Sequence, residues 1–556
     1  MGIATLGAIA IGQYEEAVGV MVFYSIGEVL QHSAASRSRA SIRSLLDLRP
    51  DFARLRREGS WVELPPELAV PGDEFLVKPG ERLPLDGRVI EGEAFLDTSA
   101  LTGESMPRRA GPGSPVLAGS VSLDGALVIA ASRVAGESSA ARIALLVENA
   151  AHLKARTERW VTSFASVYTP IVVAMAAAIA FLPPLLFAGQ ELRTWCYRAL
   201  VMLVISCPCA LVVSVPLGYF GGIGGAARRG ILVKGSQVLD ALARCRTVAF
   251  DKTGTLTRAA LTVRSIEPAP GRSADEVLAW AAAAESLSRH PIAASLRAEA
   301  GARSLSIGTE DEASEVRELP GAGIAARIGG RRVLAGNERL LDLEGVGHPP
   351  IEAEDTRVLV ALDGQYAGSI ALGDEAKGDA RRAVDELRRL GVSRLALLTG
   401  DSGPVARALA EDLGIDETYA ELLPEGKLEV LARIIAETGA AGGGARGGTA
   451  FVGDGINDSP VLALADVGIA MGAGSDAAVE TADVVLLTDE PSRVPEAISR
   501  ARRTRRIVAQ NIVFALGVKT AFLAMGAVGV AVMWEAVIAD VGVALLAVAN
   551  SLRAMK

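Results

Sequence analysis

Cysteine is scarce in this sequence, which has four in 556 residues. So few thiols in a chain of this length exclude a fold held together by a disulfide framework. Basic residues are not in excess either, because 56 Lys and Arg stand against 65 Asp and Glu, for a net charge of −9. No basic block stands out against this acidic balance, which argues against a nucleic-acid partner.

Charged residues are missing from long stretches of the chain. Residues 161–190 and 199–227 contain none, and each run exceeds the roughly 20 apolar residues that cross a bilayer. Residues 507–550 are long enough for two crossings. That run holds three charged side chains: Lys519, Glu535 and Asp540. The sequence therefore predicts a membrane protein.

Arginines cluster at one end of each apolar run, as at 502–506. By the positive-inside rule these ends are cytoplasmic, so two bulky blocks, 36–158 and 230–505, are predicted to be cytoplasmic. Before them, residues 1–14 are apolar but too short to span, and they lack the basic start of a secretory signal. Residues 17–35 can just cross if Glu28 faces protein or water.

The two cytoplasmic blocks have different strand patterns. The first has alternating apolar residues broken by Pro-Gly and Asp-Gly pairs, which predicts a small β-rich domain. The second alternates short apolar strands with helical stretches, which predicts a parallel α/β sheet with acidic residues at the strand ends. Residues 259–370 interrupt that pattern and are predicted to form an inserted domain.

Three motifs of the second block together provide the parts of a phosphoryl-transfer site. Asp251 of "DKTGTLT" follows an apolar strand, where a carboxylate can attack a γ-phosphoryl group and form an aspartyl phosphate. "TGD" at 399–401 adds a hydroxyl, Lys427 a cation, and "GDGINDSP" the carboxylates Asp454 and Asp458 for Mg²⁺. Any one motif alone has a structural explanation, but three in this order predict the chemistry.

These motifs resemble the P-type ATPases, ion pumps built on the haloacid-dehalogenase phosphotransferase fold, and the resemblance covers essentially the whole chain. It implies that ATP phosphorylates Asp251 and that Asp251, the Thr253 backbone and Asp454 bind Mg²⁺. It assigns Lys427 and Thr399 to the phosphoryl oxygens. The remaining motif residues counted with the catalytic set are Lys252, Asp401, Asn457 and Asp458.

Two further motifs take their meaning from this resemblance. "TGES" looks like the family's actuator loop, and its Glu104 is the candidate that orients water for hydrolysis of the aspartyl phosphate. In the insertion, "ESLSRHPIA" and "PGAGI" are similar to the nucleotide-binding domain of the heavy-metal pumps. The residues carried over as ATP contacts are Glu285, His290, Gly321 and Gly323.

The intramembrane "CPC" predicts the transported ion. Pro208 removes a backbone hydrogen bond, and local unwinding can turn Cys207 and Cys209 toward one centre. Thiolates select soft or borderline ions such as Zn²⁺, Cd²⁺, Pb²⁺ and Cu⁺. Asp540 and Lys519 are ionisable at membrane depth, which marks them as functional. Two thiolates and a carboxylate favour a divalent ion, and Lys519 can pair with Asp540 when the site is empty.

This arrangement is similar to the zinc, cadmium and lead branch of the family, which pairs Cys-Pro-Cys with a Lys and an Asp-x-Gly in the last two helices. The expected function is ATP-driven export of Zn²⁺, Cd²⁺ or Pb²⁺. Glu28 is the candidate that receives the ion on its way out. The alternatives are a Cu⁺ pump of the same architecture, a membrane-tethered haloacid-dehalogenase phosphatase, and a passive metal-binding membrane protein.

The resemblance implies a helical membrane bundle with three cytoplasmic domains: a β-rich actuator, an α/β phosphorylation domain and an α/β nucleotide-binding insertion. We expect a monomeric multi-pass protein of a bacterial plasma membrane, with cytoplasmic catalytic domains. The family's leading helices and Cys-x-x-Cys domain are absent, so we expect an N-terminally truncated chain. The expected segments are transmembrane 1–35, actuator 36–158, transmembrane 159–229, phosphorylation 230–258 and 371–505, nucleotide-binding 259–370, and transmembrane 506–556.

Overall fold

The structure is a computed structural model. It describes residues 2–46, 50, 52–98, 107–138, 141, 155–187, 189–206, 209–286, 288, 291–305, 313–319, 322–349, 356–441, 448–454, 458–472, 480–528 and 532–555.

The helices named below are numbered in chain order. They are α1 (Gly2–Ala10), α2 (Tyr14–Leu46), α3 (Arg156–Leu186), α4 (Leu192–Ile205), α5 (Cys209–Ala227), α6 (Ser236–Ala243), α7 (Ala274–Ala284), α8 (Pro291–Ala302), α9 (Glu338–Leu343), α10 (Ala380–Arg389), α11 (Gly403–Leu413), α12 (Pro424–Ala441), α13 (Ser459–Leu464), α14 (Arg493–Val528) and α15 (Met533–Leu552).

The strands are numbered in the same way. They are β1 (Ala53–Arg57), β2 (Ser60–Leu64), β3 (Glu74–Val77), β4 (Gly87–Glu91), β5 (Ala94–Asp97), β6 (Arg108–Ala110), β7 (Pro115–Val116), β8 (Val121–Ser122), β9 (Leu127–Ala131), β10 (Ile231–Val233), β11 (Cys245–Asp251), β12 (Thr257–Pro268), β13 (Ala313–Leu319), β14 (Gly323–Ile328), β15 (Arg331–Gly336), β16 (Thr356–Leu362), β17 (Gln365–Ala376), β18 (Arg394–Leu398), β19 (Glu417–Tyr419), β20 (Gly448–Gly453), β21 (Val467–Ala470) and β22 (Val484–Leu486).

Four helical stretches in the described part of the chain are long and apolar enough to cross a membrane. They are Ser166–Leu186, Leu192–Ala227, Arg493–Gly526 and Met533–Met555. The second stretch contains both α4, which ends at Ile205, and α5, which begins at Cys209. Helix α2 is not among the four, and the crossing predicted for residues 17–35 stays a prediction.

Small residues let the membrane helices approach one another closely. A Cβ added at Gly27 of α2 would lie 2.7 Å from a methyl of Val541 on α15. A Cβ at Gly222 of α5 would lie 2.4 Å from the hydroxyl of Thr504 on α14. Glycines at such crossings are typical of helix packing in membranes, where there is little hydrophobic drive between helices.

The first cytoplasmic block is rich in β structure, as predicted. One sheet has six strands in the order β2-β1-β3-β9-β4-β7, and a second has three in the order β6-β5-β8. Alternate residues of β3 and β9 point inward, so Phe75, Val77, Leu127 and Ile129 lie in one buried cluster. This alternation is why an antiparallel sheet packs on one face.

The second block is built on a seven-stranded sheet in the order β10-β22-β21-β20-β11-β18-β19. Its strands pair in parallel except β10, which runs antiparallel to β22. The strands are buried on both faces, as their continuous apolar runs predict. Between β11 and β18 the chain forms a separate antiparallel sheet, β12-β17-β16-β15-β14-β13, with α7 and α8 packed on it.

Candidate functional site

Asp251 is the last residue of β11, an interior strand of the parallel sheet between β20 and β18. It is paired in register with Leu398 of β18, so Thr399 and Asp401 leave the neighbouring strand at the same edge. Asp454 follows β20 on the other side. Three motifs far apart in sequence therefore meet at the carboxyl edge of the sheet, where ligands of α/β proteins bind.

Lys427 of α12 joins two of these carboxylates. Its Nζ donates to Oδ1 of Asp251 at 2.6 Å and to Oδ1 of Asp458 at 2.9 Å. The side chains are 14%, 8% and 3% exposed, so the three charges are held out of bulk water. One cation between two carboxylates leaves the trio with a net negative charge.

The surroundings shift the pKa values of Asp251 and Lys427. Burial, helped by the charge of Asp458, raises the pKa of Asp251 to about 6, although Lys427 acts in the opposite direction. Burial disfavours the charged form of Lys427, but Asp251 and Asp458 outweigh it and its pKa is raised. At neutral pH Asp251 is therefore an ionised carboxylate facing a protonated lysine, which suits a nucleophile for phosphorus.

The turn after Asp251 lies directly against Asp454. Gly254 adopts φ +72°, and a Cβ there would lie 2.5 Å from Oδ2 of Asp454, so only glycine fits the turn without displacing the carboxylate. The Oγ1 of Thr255 is buried with no hydrogen-bond partner among the described residues. The oxygens around this turn are hard donors of the type that Mg²⁺ prefers, so the residues present fit that ion.

Lys377 is a residue of this site that sequence reasoning missed. Its side chain is 7% exposed, and its Nζ donates to the carbonyl of Gly254 at 2.6 Å and to Oδ1 of Asp489 at 2.7 Å. It thereby holds the turn that follows Asp251. The only signal in the sequence is the charged stretch after β17, where nothing shows that this lysine is buried.

The second residue of "DKTGTLT" and the "TGD" motif also contact each other. The Nζ of Lys252 donates to Oδ2 of Asp401, and the backbone N–H of Asp401 donates to Oγ1 of Thr399 at 3.1 Å. Thr399 itself is buried, while the side chain of Thr253 is exposed. The structure thus brings together every catalytic residue predicted in this domain that it describes.

Several predicted residues lie outside the described part of the chain. They are Glu104, Asn457, His290, Gly321 and Cys207, together with the side chain of Cys209. Of the predicted nucleotide contacts, Glu285 is buried at the end of α7. Gly323 begins β14 at φ +141°, and a Cβ there would lie 2.4 Å from the carbonyl of Ala335. Close strand packing therefore already requires that glycine, whatever its role in binding.

The charged pair predicted in the membrane is formed. Lys519 of α14 donates from Nζ to Oδ1 of Asp540 on α15 at 2.7 Å, and the side chains are 9% and 6% exposed. The same Nζ donates to the carbonyl of Ile205 at 3.2 Å. Ile205 is the last residue of α4 and precedes Cys207 by two positions in the sequence, so the pair contacts the helix end that leads into the Cys-Pro-Cys segment. A cation is also favourable at a helix C-terminus.

No group of three or more His, Cys, Asp or Glu side chains able to hold a metal occurs in the part of the chain that the structure describes. That part excludes both thiols of the Cys-Pro-Cys segment. Glu28 of α2 is exposed, and it follows Gly27, which packs against α15 beside Asp540.

Comparisons with known families agree with this arrangement. Residues 47–148 match the P-type ATPase actuator domain, and residues 245–466 match the haloacid dehalogenase-like hydrolases. A second haloacid dehalogenase-like model matches residues 443–498. The β-rich block and the parallel sheet with Asp251 therefore each match a family that fits their folds.

Relatives match over the whole chain. A zinc-transporting ATPase from Synechocystis sp. is 52% identical over 100% of this chain and 76% of its own length. A cadmium, zinc and cobalt-transporting ATPase from Bacillus subtilis is 51% identical over 100% and 78%. A zinc/cadmium/lead-transporting P-type ATPase from Escherichia coli is 40% identical over 100% and 74%.

Solved structures match as well. A crystal structure of a zinc-transporting PIB-type ATPase in the E2.Pi state shares 39% identity with a TM-score of 0.66, covering 100% of this chain and 89% of the other. A second crystal structure of a zinc-transporting PIB-type ATPase shares 40% identity with a TM-score of 0.62, covering 100% and 90%. These matches include the membrane helices and the cytoplasmic domains together.

Proposed function

Because the chain belongs to the heavy-metal-transporting P-type ATPases, in the branch whose relatives are named for zinc, cadmium and lead, we propose that it exports Zn²⁺ or a similar divalent ion. ATP drives the export through a phosphate on Asp251. The observation that carries the choice of ion is the buried contact of 2.7 Å between Lys519 and Asp540 beside the end of α4. The named relatives support the same choice over Cu⁺.

The phosphorylation step follows from the geometry at the edge of the sheet. A carboxylate oxygen of Asp251 forms a bond to the γ-phosphorus of ATP as the bond to the leaving ADP oxygen breaks. Lys427 holds Asp251 in place and neutralises charge that builds up on the phosphoryl oxygens. Thr399 and the Lys252–Asp401 contact border the space into which the phosphate enters.

Mg²⁺ would be held by Asp251, the Thr253 backbone and Asp454, and when bound it neutralises phosphate oxygens. The chain's own part is to hold these groups in place. Lys377 keeps the carbonyl of Gly254 fixed, and that glycine keeps the turn in contact with Asp454. Asn457 and Asp458 complete the proposed set of catalytic residues. Asp458 accepts a hydrogen bond from Lys427, which also contacts Asp251.

The later steps rest on residues that the resemblance assigns. Glu104 of the actuator is proposed to orient the water that hydrolyses the aspartyl phosphate. Glu285, His290, Gly321 and Gly323 are proposed to contact the nucleotide.

The charge balance of the membrane site supports a divalent ion. Cys207 and Cys209 as thiolates, with Asp540, provide three negative charges and a mixed sulfur and oxygen donor set. With the site empty, Lys519 neutralises Asp540; an arriving dication replaces that ammonium. A Cu⁺ site of neutral donors has no use for a buried ion pair, whose desolvation is costly. Glu28 is proposed to take up the ion as it leaves.

The test is formation of an acid-stable phosphoenzyme from labelled ATP with Zn²⁺, Cd²⁺, Pb²⁺, Co²⁺ or Cu⁺. We expect divalent ions to stimulate labelling at Asp251. Asp540→Ala should abolish this stimulation, whereas the exposed Asp412→Ala in α11 should retain it. Stimulation by Cu⁺ alone, or full stimulation of Asp540→Ala by Zn²⁺, would overturn the proposed ion. Asp251→Asn serves as the unlabelled control.

A further inference from the structure

A groove of about 630 Å³ lies where the phosphorylation domain meets the start of α14. Its lining includes five arginines from α10 and α14: Arg382, Arg389, Arg493, Arg500 and Arg503. Glu386, Glu490 and Glu496 line it too, so the groove has an excess of positive charge. None of these residues belongs to the phosphorylation site or to the metal site.

Internal ion pairs account for only part of this charge. Arg493 contacts Glu490 and Glu496, each at 3.1 Å, and Arg500 contacts Glu496 at 3.2 Å. Arg503 donates to the backbone carbonyl of Arg553 at 3.1 Å, which leaves its charge unneutralised. Arg389 is exposed and, among the described residues, has no carboxylate partner. Two exposed guanidinium groups of the groove therefore remain open to an anion.

The end of the groove at Arg503 lies next to the lipid headgroups, and the rest of the groove extends from there into the cytoplasm. Lys519 is near the middle of the apolar part of α14, and Arg503 lies sixteen residues before it on the same continuous helix. At 1.5 Å per residue this is about 24 Å, which is just outside the half-thickness of roughly 20–22 Å of a bilayer with its headgroups, so a long arginine side chain at this position can reach the lipid phosphates. Arg502 donates to the carbonyl of Leu390, which brings the adjacent Arg389 to the same level.

We propose that this groove binds the phosphate of an anionic phospholipid from the cytoplasmic leaflet. A guanidinium group matches a phosphate with two parallel hydrogen bonds, and basic pockets beside transmembrane helices on the cytoplasmic side are suited to anionic headgroups. The position of Arg389 and Arg503 next to the headgroup layer favours a lipid over a soluble phosphate, because lipid phosphates are concentrated within reach of these side chains. The bound lipid would hold α10 and α14 together where the phosphorylation domain meets the membrane.

The test uses the full chain in detergent, with native mass spectrometry during titration by phosphatidylglycerol or neutral phosphatidylcholine. We expect preferential binding of phosphatidylglycerol. Each arginine near a membrane surface is worth about a fivefold change in binding, so Arg389→Ala with Arg503→Ala should weaken it by about 25-fold. Arg389→Ala alone removes no hydrogen bond within the described residues, so its smaller loss tests the site without disturbing the fold. The exposed Arg339→Ala in α9 is the matched control.

Two results would overturn the proposal. One is an unchanged affinity for phosphatidylglycerol in both the single and the double variant, with phosphoenzyme formation intact to show that the protein is folded. The other is displacement of the lipid by inorganic phosphate at an equal concentration, which would assign the groove to a soluble anion. Arg389→Lys should bind with intermediate affinity, because it keeps the charge and loses the paired hydrogen bonds.

Discussion

The phosphorylation site and the membrane site each contain a buried lysine in contact with an aspartate, but their charge balance differs. Lys427 lies between Asp251 and Asp458, at 2.6 and 2.9 Å, whereas Lys519 contacts Asp540 at 2.7 Å together with a neutral carbonyl. The first set keeps a negative charge and can accept a cation without losing its lysine contacts. The second pair is neutral, so under the proposed function an arriving metal ion has to displace the ammonium of Lys519 from Asp540.

The two regions are connected by one helix. α14 begins at Arg493, soon after β22 of the phosphorylation domain, and continues into the membrane to carry Lys519. On the domain side, Asp489 between β22 and α14 contacts Lys377, which holds Gly254 beside the nucleophile. The two sites therefore lie at the two ends of a continuous set of contacts. Because their charge balance differs, substitutions of Lys427 and of Lys519 should have different consequences for stability and phosphorylation.

The largest effect is expected at Lys427. Lys427→Met leaves Asp251 and Asp458 buried without their cation and removes a donor for the phosphoryl oxygens. We expect phosphoenzyme formation to slow by about 10²–10³-fold and the free energy of unfolding to fall by about 5 kcal/mol, the upper end for a broken buried pair, because two carboxylates lose one cation. Rapid-quench labelling and thermal unfolding in detergent measure the two effects.

Adding Asp251→Asn to Lys427→Met should not fully restore stability, because Asp458 stays buried and unpaired. Lys427→Arg is the control that keeps the charge, and it should retain most of the stability. A Lys427→Met protein as stable as the native one would show that the lysine does not compensate these carboxylates.

A second, smaller effect is expected from the neutral pair in the membrane. Lys519→Met or Asp540→Asn alone should lower the free energy of unfolding by about 3 kcal/mol, because each leaves one buried polar partner uncompensated. The double variant should be close to the native protein in stability while losing metal-stimulated phosphorylation. Thermal unfolding of all four proteins measures the coupling between the two residues.

If the stability losses of the two single variants simply add in the double variant, Lys519 and Asp540 do not stabilise each other. The membrane site would then no longer differ from the phosphorylation site in its charge balance. Restoration in the double variant, together with no restoration at Lys427 and Asp251, would confirm that charge balance separates the two regions.

Much of both regions could be predicted from the sequence. Asp251, Asp454 and the "TGD" motif follow apolar strands of a parallel sheet, so their meeting at one edge follows from topology. Lys519 and Asp540 are ionisable residues within apolar helices, where only a mutual contact or a ligand makes them tolerable. The architecture implied by the family resemblance is confirmed by the matching structures.

Other features depend on three-dimensional packing that has no local signature. The contact between Lys427 and Asp251 joins residues 176 positions apart; the sequence offered Lys427 as the cation of the site but did not predict this contact. The burial of Lys377 and the contact of Lys519 with the carbonyl of Ile205 could not be predicted, because a backbone carbonyl leaves no mark in a sequence. The start of α14 was also missed, since the helix begins in an arginine-rich stretch well before the apolar run.

The smallest effect concerns the stability of the metal-free protein as a function of pH. Burial and Asp458 raise the pKa of Asp251 from 3.8 to about 6. Between these values the folded state holds a proton that the unfolded state has lost, so the free energy of unfolding falls as the pH rises from about 4 to 6. Above pH 6 both states are ionised and this contribution is constant. The total is at most about 3 kcal/mol, at 1.36 kcal/mol per pH unit.

Asp251→Asn does not titrate and should lack this fall, so its stability relative to the native protein should rise between pH 4 and 6 and then level off. Lys427 stays protonated across this range because its own pKa is raised, and it adds no slope. Thermal unfolding with a chelator measures the difference, and the exposed Asp412→Asn is the control. Parallel curves for the Asp251→Asn variant and the native protein would mean that ionising Asp251 in the folded protein costs no electrostatic free energy. The excess of negative charge at the phosphorylation site would then not distinguish it from the neutral pair in the membrane.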